Sequence, residues 1–410
     1  MPRLRLVAAR FRAVLRREAS SLRQSSVALA ISLAASLLAG VILGSITGTL
    51  ERFPGLLVLI PPVLALRGNI GGTLASRLGT AIHAGTYRRS LSLDGLLGQN
   101  LAASFAVSVG LSFAYAVLAR MAVVAVGIDH AIGIDDFVVI SVIGGTAASI
   151  VVAAITVRMA NASARRGWDL DNVAAPVVTA AGDLVTVPSL WAAAHLANRG
   201  VATPLVAGAC AAAAVVMIFA SLRSRRTTLR GIVRQSLGVH IFGGLISIAA
   251  GITIETRLEH FVAFPAVLVV IPPFLAMSGA VGGIFSSRIA TKLHLGLVEP
   301  ARFRLFAVAE DLTLVAALAV PMFLALGVSA EAVTAALDLA SPGVVSMVEI
   351  VLVAGVIAGA GLAVVGYVGT VTTFRFGLDP DNFAIPVVTS ALDLLGALAI
   401  ILALVVVGVI

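Results

Sequence analysis

The sequence predicts an all-α polytopic membrane protein. It has about eleven transmembrane helices, arranged as two parallel five-helix repeats joined by an extra linking helix. Three observations carry this expectation. Of 410 residues, 60% are hydrophobic and 12% charged, about half the charged share of a soluble domain. Arginines collect in every second loop. The chain also repeats itself at an offset of 210–211 residues.

Apolar runs long enough to cross a bilayer, about 20 residues, fall near 27–50, 55–80, 95–126, 137–160, 172–197 and 203–222. They continue near 237–256, 262–291, 305–327, 343–373 and 382–410. Arg3, Arg5, Arg10, Arg12, Arg16, Arg17 and Arg23 precede the first run. Arg88 and Arg89 follow the second, Arg165 and Arg166 the fourth, and Arg223, Arg225, Arg226, Arg230 and Arg234 the sixth. Arg302 and Arg304 follow the eighth and Arg375 the tenth. The loops between are short or acidic: Asp129, Asp135 and Asp136; Glu255 and Glu259; Glu331 and Asp338. The positive-inside rule then sets the N-terminus in the cytoplasm and the C-terminus outside, in a multi-pass plasma-membrane protein.

A net charge of +8 in a soluble protein would point to nucleic acid. Here the cations flank hydrophobic spans, so they read as topology signals and contacts to the lipid bilayer, with no nucleic-acid partner. Cys210 is the sole cysteine, so no intrachain disulfide can form. The N-terminal stretch is too basic, and too long before its first apolar run, for a cleavable signal. It reads as an amphipathic cytoplasmic arm.

The internal repeat is read from two stretches. Leu57–Gly85 aligns with Leu268–Gly296 at about half of its positions, and both copies carry Pro-Pro, a Gly-rich centre and a Ser-Arg pair. DLDNVAAPVVTAAGDLV (Asp169–Val185) returns as DPDNFAIPVVTSALDLL (Asp379–Leu395). Each unit holds five spans, an odd number, so units joined directly would be inverted. The unmatched span from Pro204 to Leu222 restores the same orientation for both, the parallel-repeat arrangement. The expected organisation is a basic arm (1–26), a first five-helix domain (27–198), a linking helix with a basic loop (199–235) and a second domain (236–410).

Asp183 and Asp393 stand alone in apolar segments. On a helix, Asn172, Pro176, Thr179 and Asp183 share one face, as do Asn382, Pro386, Thr389 and Asp393. Asp183 lies roughly 16 Å along the helix from Asn172, near the middle of a bilayer about 30 Å thick. A carboxylate at that depth is costly and reads as functional. Two facing Asp residues, Thr hydroxyls and Asn carbonyls freed by the prolines form an oxygen set suited to partly hydrated Mg²⁺. The alternative is that each Asp ties helices together through a neighbouring hydroxyl. Gly68, Gly71 and Gly72, with Gly279, Gly282 and Gly283, allow close packing, local unwinding or pore lining. Asn69 offers an amide to the same path, although its counterpart is Ala280. Arg77 and Arg288 read as snorkelling side chains and His83 and His294 as interfacial. Glu310 and Asp311 either draw cations to a cytoplasmic mouth or pair with Arg302 and Arg304. No zinc-protease or P-loop motif occurs, and Ser278 lacks the surroundings of a serine nucleophile, so the chain is not expected to be an enzyme.

These residues resemble the MgtE-type family and its relative, solute carrier family 41. The resemblance rests on Ala75-Ser76-Arg77-Leu78-Gly79-Thr80, on Ser286-Ser287-Arg288-Ile289-Ala290-Thr291, and on the Asp-Pro-Asp-Asn…Pro…Thr…Asp-Leu helix at Asp379–Leu394. It covers both repeats. The fused double domain is more similar to solute carrier family 41 than to the MgtE homodimer, which implies a self-sufficient monomer acting as a fused pseudo-dimer. It further implies a divalent-cation pathway with the final-helix Asp of each half at the ion site. Mg²⁺ is then the transported substrate, and no organic cofactor is implied. MgtE proteins usually carry cytoplasmic sensor domains, whereas a short basic arm is expected here, so their sensing gate does not carry over. Two rivals stay open: a cation-coupled secondary transporter of another substrate, with Arg77 and Arg288 binding an anion, and an intramembrane enzyme.

Overall fold

The structure is a computed structural model. It describes residues 18–166, 170–299, 308–377 and 380–409, with 19–21, 166, 170–176 and 380–382 by backbone alone. Every regular element among these residues is helical. The first half comprises α1 (Ala19–Ser45), the short α2 (Thr47–Arg52), α3 (Leu56–His83), α4 (Leu96–Val126), α5 (Ile134–Val139), α6 (Gly145–Arg166) and α7 (Leu170–Ala194). A π-helical turn at Ile140–Gly144 carries α5 into α6 without a break. α8 (Ala202–Leu222) links to the second half: α9 (Thr227–Glu255), the short α10 (Leu258–Ala263), α11 (Pro265–His294), α12 (Ala309–Ala336), α13 (Val344–Arg375) and α14 (Pro380–Val407).

Among the described residues, eleven helices, counting α5 and α6 as one, are long and apolar enough to cross a membrane. They match the eleven runs expected from hydropathy, and the chain is a multi-pass membrane protein. Several boundaries differ from the sequence reading. α9 starts at Thr227, ten residues ahead of its apolar run, so Arg230 and Arg234 are helical rather than part of a loop. Glu255, expected in an acidic loop, is the last residue of α9 and is buried.

The two halves interlock through their first and second spans. α1 packs on α11 of the other half, and α9 packs on α3. Glycines permit both crossings. A Cβ on Gly40 would stand 2.0 Å from the Val269 carbonyl oxygen, and one on Gly251 would stand 2.6 Å from that of Val58. Both pairs are related by the offset of the repeat. The paired prolines now gain a specific role. Pro62 has no N–H to reach the Val58 carbonyl four residues back, and Pro273 has none to reach Val269. Of the carbonyls that lose their helical partner to the two Pro-Pro pairs, those of Val58 and Val269 are the ones that face glycines of the opposite half. The helices stay continuous through both Pro pairs, so the sequence option of local unwinding is not what occurs.

Within each half, the second span also packs on the last. Gly71 of α3 faces Val178 of α7, and Gly282 of α11 faces Leu392 of α14. The matching contacts are compatible with two repeats. α8, by contrast, lies at the periphery with Leu205, Val215, Val216 and Phe219 exposed, as a helix whose role is to connect would.

One contact breaks the symmetry. The Glu255 carboxylate accepts hydrogen bonds from the backbone N–H groups of Gly55 and Leu57 at 2.6 and 3.1 Å. It therefore caps α3 from the other half, where a helix start leaves N–H groups unsatisfied and favours negative charge. The corresponding start of α11 uses Pro265, which has no N–H, and a bond from Ala266 N–H to the Ala340 carbonyl at 3.3 Å. Position 44, the repeat counterpart of 255, is Gly. Glu255→Ala strands two buried donors, so a cost of about 1–3 kcal/mol is expected. Thermal unfolding in detergent should show a Tm lower by several degrees. An unchanged Tm would mean that water satisfies those donors.

Candidate functional site

A cavity of about 680 Å³ lies between α1, α3, α7, α11 and α14. Asp183 from α7 and Asp393 from α14 both line it, and so do Thr179 and Thr389 one turn earlier on the same helices. The glycine bands of α3 and α11 lie beside them: a Cβ at Gly68 would reach Thr179 at 3.5 Å and one at Gly279 would reach Thr389 at 3.8 Å, both ordinary contacts. Asn69 and Ala280 complete the matched lining positions.

The two Asp side chains are 6% and 8% exposed. Each is held by a hydroxyl from the first helix of its own half. Ser36 donates to Asp183 Oδ2 at 2.5 Å, and Ser247 donates to Asp393 Oδ2 at 2.9 Å. Both serines obey the offset of 211, so carrying the repeat into the first span would have identified them in the sequence. The helix-tying role weighed for each Asp is therefore real. It coexists with exposure of both carboxylates to one cavity.

The cavity is lined mostly by apolar residues, and its few charged groups are lopsided in sign. Its charged lining residues are Asp183, Asp393 and Arg288. Arg288 is engaged at one end: Nε donates to Asp311 Oδ1 at 2.9 Å and an Nη to Glu18 Oε2 at 3.4 Å. Lys292 Nζ closes the cluster on Asp311 Oδ2 at 2.5 Å. Asp311 thus pairs with Arg288 and Lys292. Arg302 and Arg304, the partners weighed from sequence, lie outside the described residues. Asp311 is fully buried and does not line the cavity, whereas Glu310 is exposed beside it. The side chains of Asn172 and Asn382 also lie outside the described residues.

Sequence reasoning missed Arg67. Its side chain is 1% exposed in mid-helix, next to the cavity-lining Gly68. It bonds the hydroxyls of Ser108 and Ser149 and, at 2.6 Å, that of Ser112. Gly182 leaves space for its stem against α7. The repeat counterpart is Ser278, so one half carries a buried cation and the other does not.

Two carboxylates, two hydroxyls and an amide facing one space can bind a hard cation that keeps some of its water. Among the described residues there is no cluster of three or more His, Cys, Asp or Glu of the kind that holds a stripped ion. The model of one family, MgtE, described as a divalent cation transporter, matches residues 60–193 and 271–403. The chain belongs to the MgtE family. Its two matched segments begin 211 residues apart, reproducing the internal repeat. They contain both Asp residues, both Thr residues and the glycine bands. The α1 and α9 serines lie outside them.

Among relatives, solute carrier family 41 member 2 of Xenopus laevis is 26% identical over 384 residues, covering 83% of this chain and 63% of the relative. Member 3 of Rattus norvegicus is 26% identical over 368 residues, covering 83% and 77%. Human member 2 is 27% identical over 253 residues, covering 58% and 42%. The chain thus spans 63% of the length of the Xenopus relative. No solved structure matches the chain. The MgtE family is described as one of divalent cation transporters, not of enzymes.

Proposed function

We propose that this MgtE-family chain moves divalent cations, Mg²⁺ foremost, across the plasma membrane along a path between its two halves. Asp183 and Asp393 together hold the partly hydrated ion, with Thr179, Thr389, Asn69 and the helix carbonyls at Asn172 and Asn382 as further oxygens. One observation carries this reading: a single cavity receives the same Asp–Thr pair from each half. Two nearby carboxylates repel each other at low dielectric, and a divalent ion relieves that repulsion more than a monovalent one does. Mg²⁺ sheds water reluctantly and is commonly held by one or two carboxylates plus waters, so a cavity of about 680 Å³ suits it better than a tight cage.

Because both halves are in one chain, the site needs no second copy, and the functional unit is a monomer. The arginine-bearing loops face the cytoplasm, which puts the Glu18–Arg288–Asp311–Lys292 cluster at the cytoplasmic mouth. The rival reading has Arg77 and Arg288 bind an anionic substrate; for Arg288 it is disfavoured, because that guanidinium already has two carboxylate partners.

The test is Mg²⁺ flux into proteoliposomes at clamped voltage, with and without a Na⁺ gradient. Saturable Mg²⁺ entry driven by voltage or by Na⁺ is expected. Absence of Mg²⁺ entry under every gradient would overturn the assignment.

A further inference from the structure

The second half bears a groove unrelated to the Asp cavity. It measures about 770 Å³ and runs between α9, α13 and α14. Its α9 wall follows one helix face: Thr227, Gly231, Gly238 and Phe242 along the centre, with Arg230 and Arg234 on one flank. Thr373 of α13 and Phe383 and Val387 of α14 form the other wall. Side chains added at Gly231 or Gly238 would meet nothing, so the glycines leave the groove open.

Its polarity is graded along the helix. The polar groups, Thr227, Arg230, Arg234 and Gln235, sit in the first turns of α9. Gly238, Val239 and Phe242 follow, and Phe242 lies about 22 Å from Thr227 at 1.5 Å per residue. Phe242 is 55% exposed. The two arginines are one turn apart, exposed, and without an ion pair among the described residues, and no acid lines the groove. Arg226, just before the helix, instead pairs with Asp94 at 3.0 Å.

We infer that this groove binds one anionic phospholipid. Its phosphate lies on Arg230 and Arg234, and an acyl chain lies along Gly238, Phe242 and Phe383. The match is one of charge and of direction: cations at the membrane boundary and an apolar trough running inward from them. Arginine chelates phosphate oxygens in a fork, and a basic side chain near an anionic surface strengthens binding about fivefold. Val387 and Phe383 belong to the helix that carries Thr389 and Asp393, so the bound lipid would brace that helix.

Native mass spectrometry of the purified chain, titrated separately with phosphatidylglycerol and phosphatidylcholine, tests this. One phosphatidylglycerol per chain should be retained in preference to phosphatidylcholine. Arg230→Gln with Arg234→Gln should weaken that adduct by more than about tenfold. Gly238→Leu, which fills the trough without changing charge, should also displace it. Arg223→Gln with Arg225→Gln, outside the groove, should leave it intact. Circular dichroism confirms that each variant is folded. Equal retention of both lipids, retention by the Arg230/Arg234 variant, or an equal loss in the Arg223/Arg225 control would overturn the inference. The last result would mean diffuse surface charge rather than a site.

Discussion

Alanine at either Asp183 or Asp393 is expected to cut Mg²⁺ flux in proteoliposomes by about a hundredfold or more, and alanine at both should be scarcely worse than alanine at one. The reasoning is electrostatic. A divalent ion at mid-membrane has given up part of its hydration, and the paired carboxylates offset that cost. With one carboxylate gone, the remaining charge is insufficient, and the two substitutions act on one shared interaction rather than adding. Asp183→Asn and Asp393→Asn should behave in the same way, because shape without charge does not compensate. Both residues are held by serines of their own half, so a folding defect has to be separated from a transport defect. Thermal unfolding of each variant does that. Two singles with independent, additive losses would argue for two separate sites, and wild-type flux in either single would remove that residue from the path.

The second large effect is structural. Gly40→Val and Gly251→Val should each lower folded yield and Tm, because the new side chains would meet the backbone carbonyls of Val269 and Val58. Overpacking of this kind costs about 1–3 kcal/mol and more when the obstacle is backbone. The sign is diagnostic. Replacing a helix-interior glycine with alanine is normally favourable by roughly 0.5–1 kcal/mol. Gly359, which has open space around it, should show that ordinary gain as Gly359→Ala. Gly40→Ala and Gly251→Ala should instead be destabilising, as measured by thermal shift and by monodispersity on size-exclusion chromatography. If all three alanine variants gain stability, α1 and α9 do not approach the opposite half as closely as described.

Much of this was legible before any coordinates, for identifiable reasons. Eleven spans could be counted because a bilayer demands long apolar helices and because arginine loops punctuate them. The Asp pair stood out because a lone carboxylate in an apolar segment is expensive, and its second copy pointed to the same face. Ser36 and Ser247 were within reach, since the offset that aligns the Asp residues aligns them too. Glu255 and Arg67 were not. Each is satisfied by groups on other helices, the N–H groups of Gly55 and Leu57 in one case and serines of α4 and α6 in the other. Neither has a repeat counterpart of like chemistry to flag it. The proline pairs were visible as helix disruptors, but their consequence was not. Which carbonyl lies against which glycine depends on how the two halves cross, and a one-dimensional pattern does not encode that.

The central claim is that the two halves build a single divalent-cation site between Asp183 and Asp393. Equilibrium Mg²⁺ binding to the purified chain, by isothermal titration calorimetry in detergent, tests it most directly. The account predicts one ion per chain, lost in Asp183→Asn and equally lost in Asp393→Asn. Two ions per chain with each variant keeping one, or one ion bound undiminished by both variants, would contradict it.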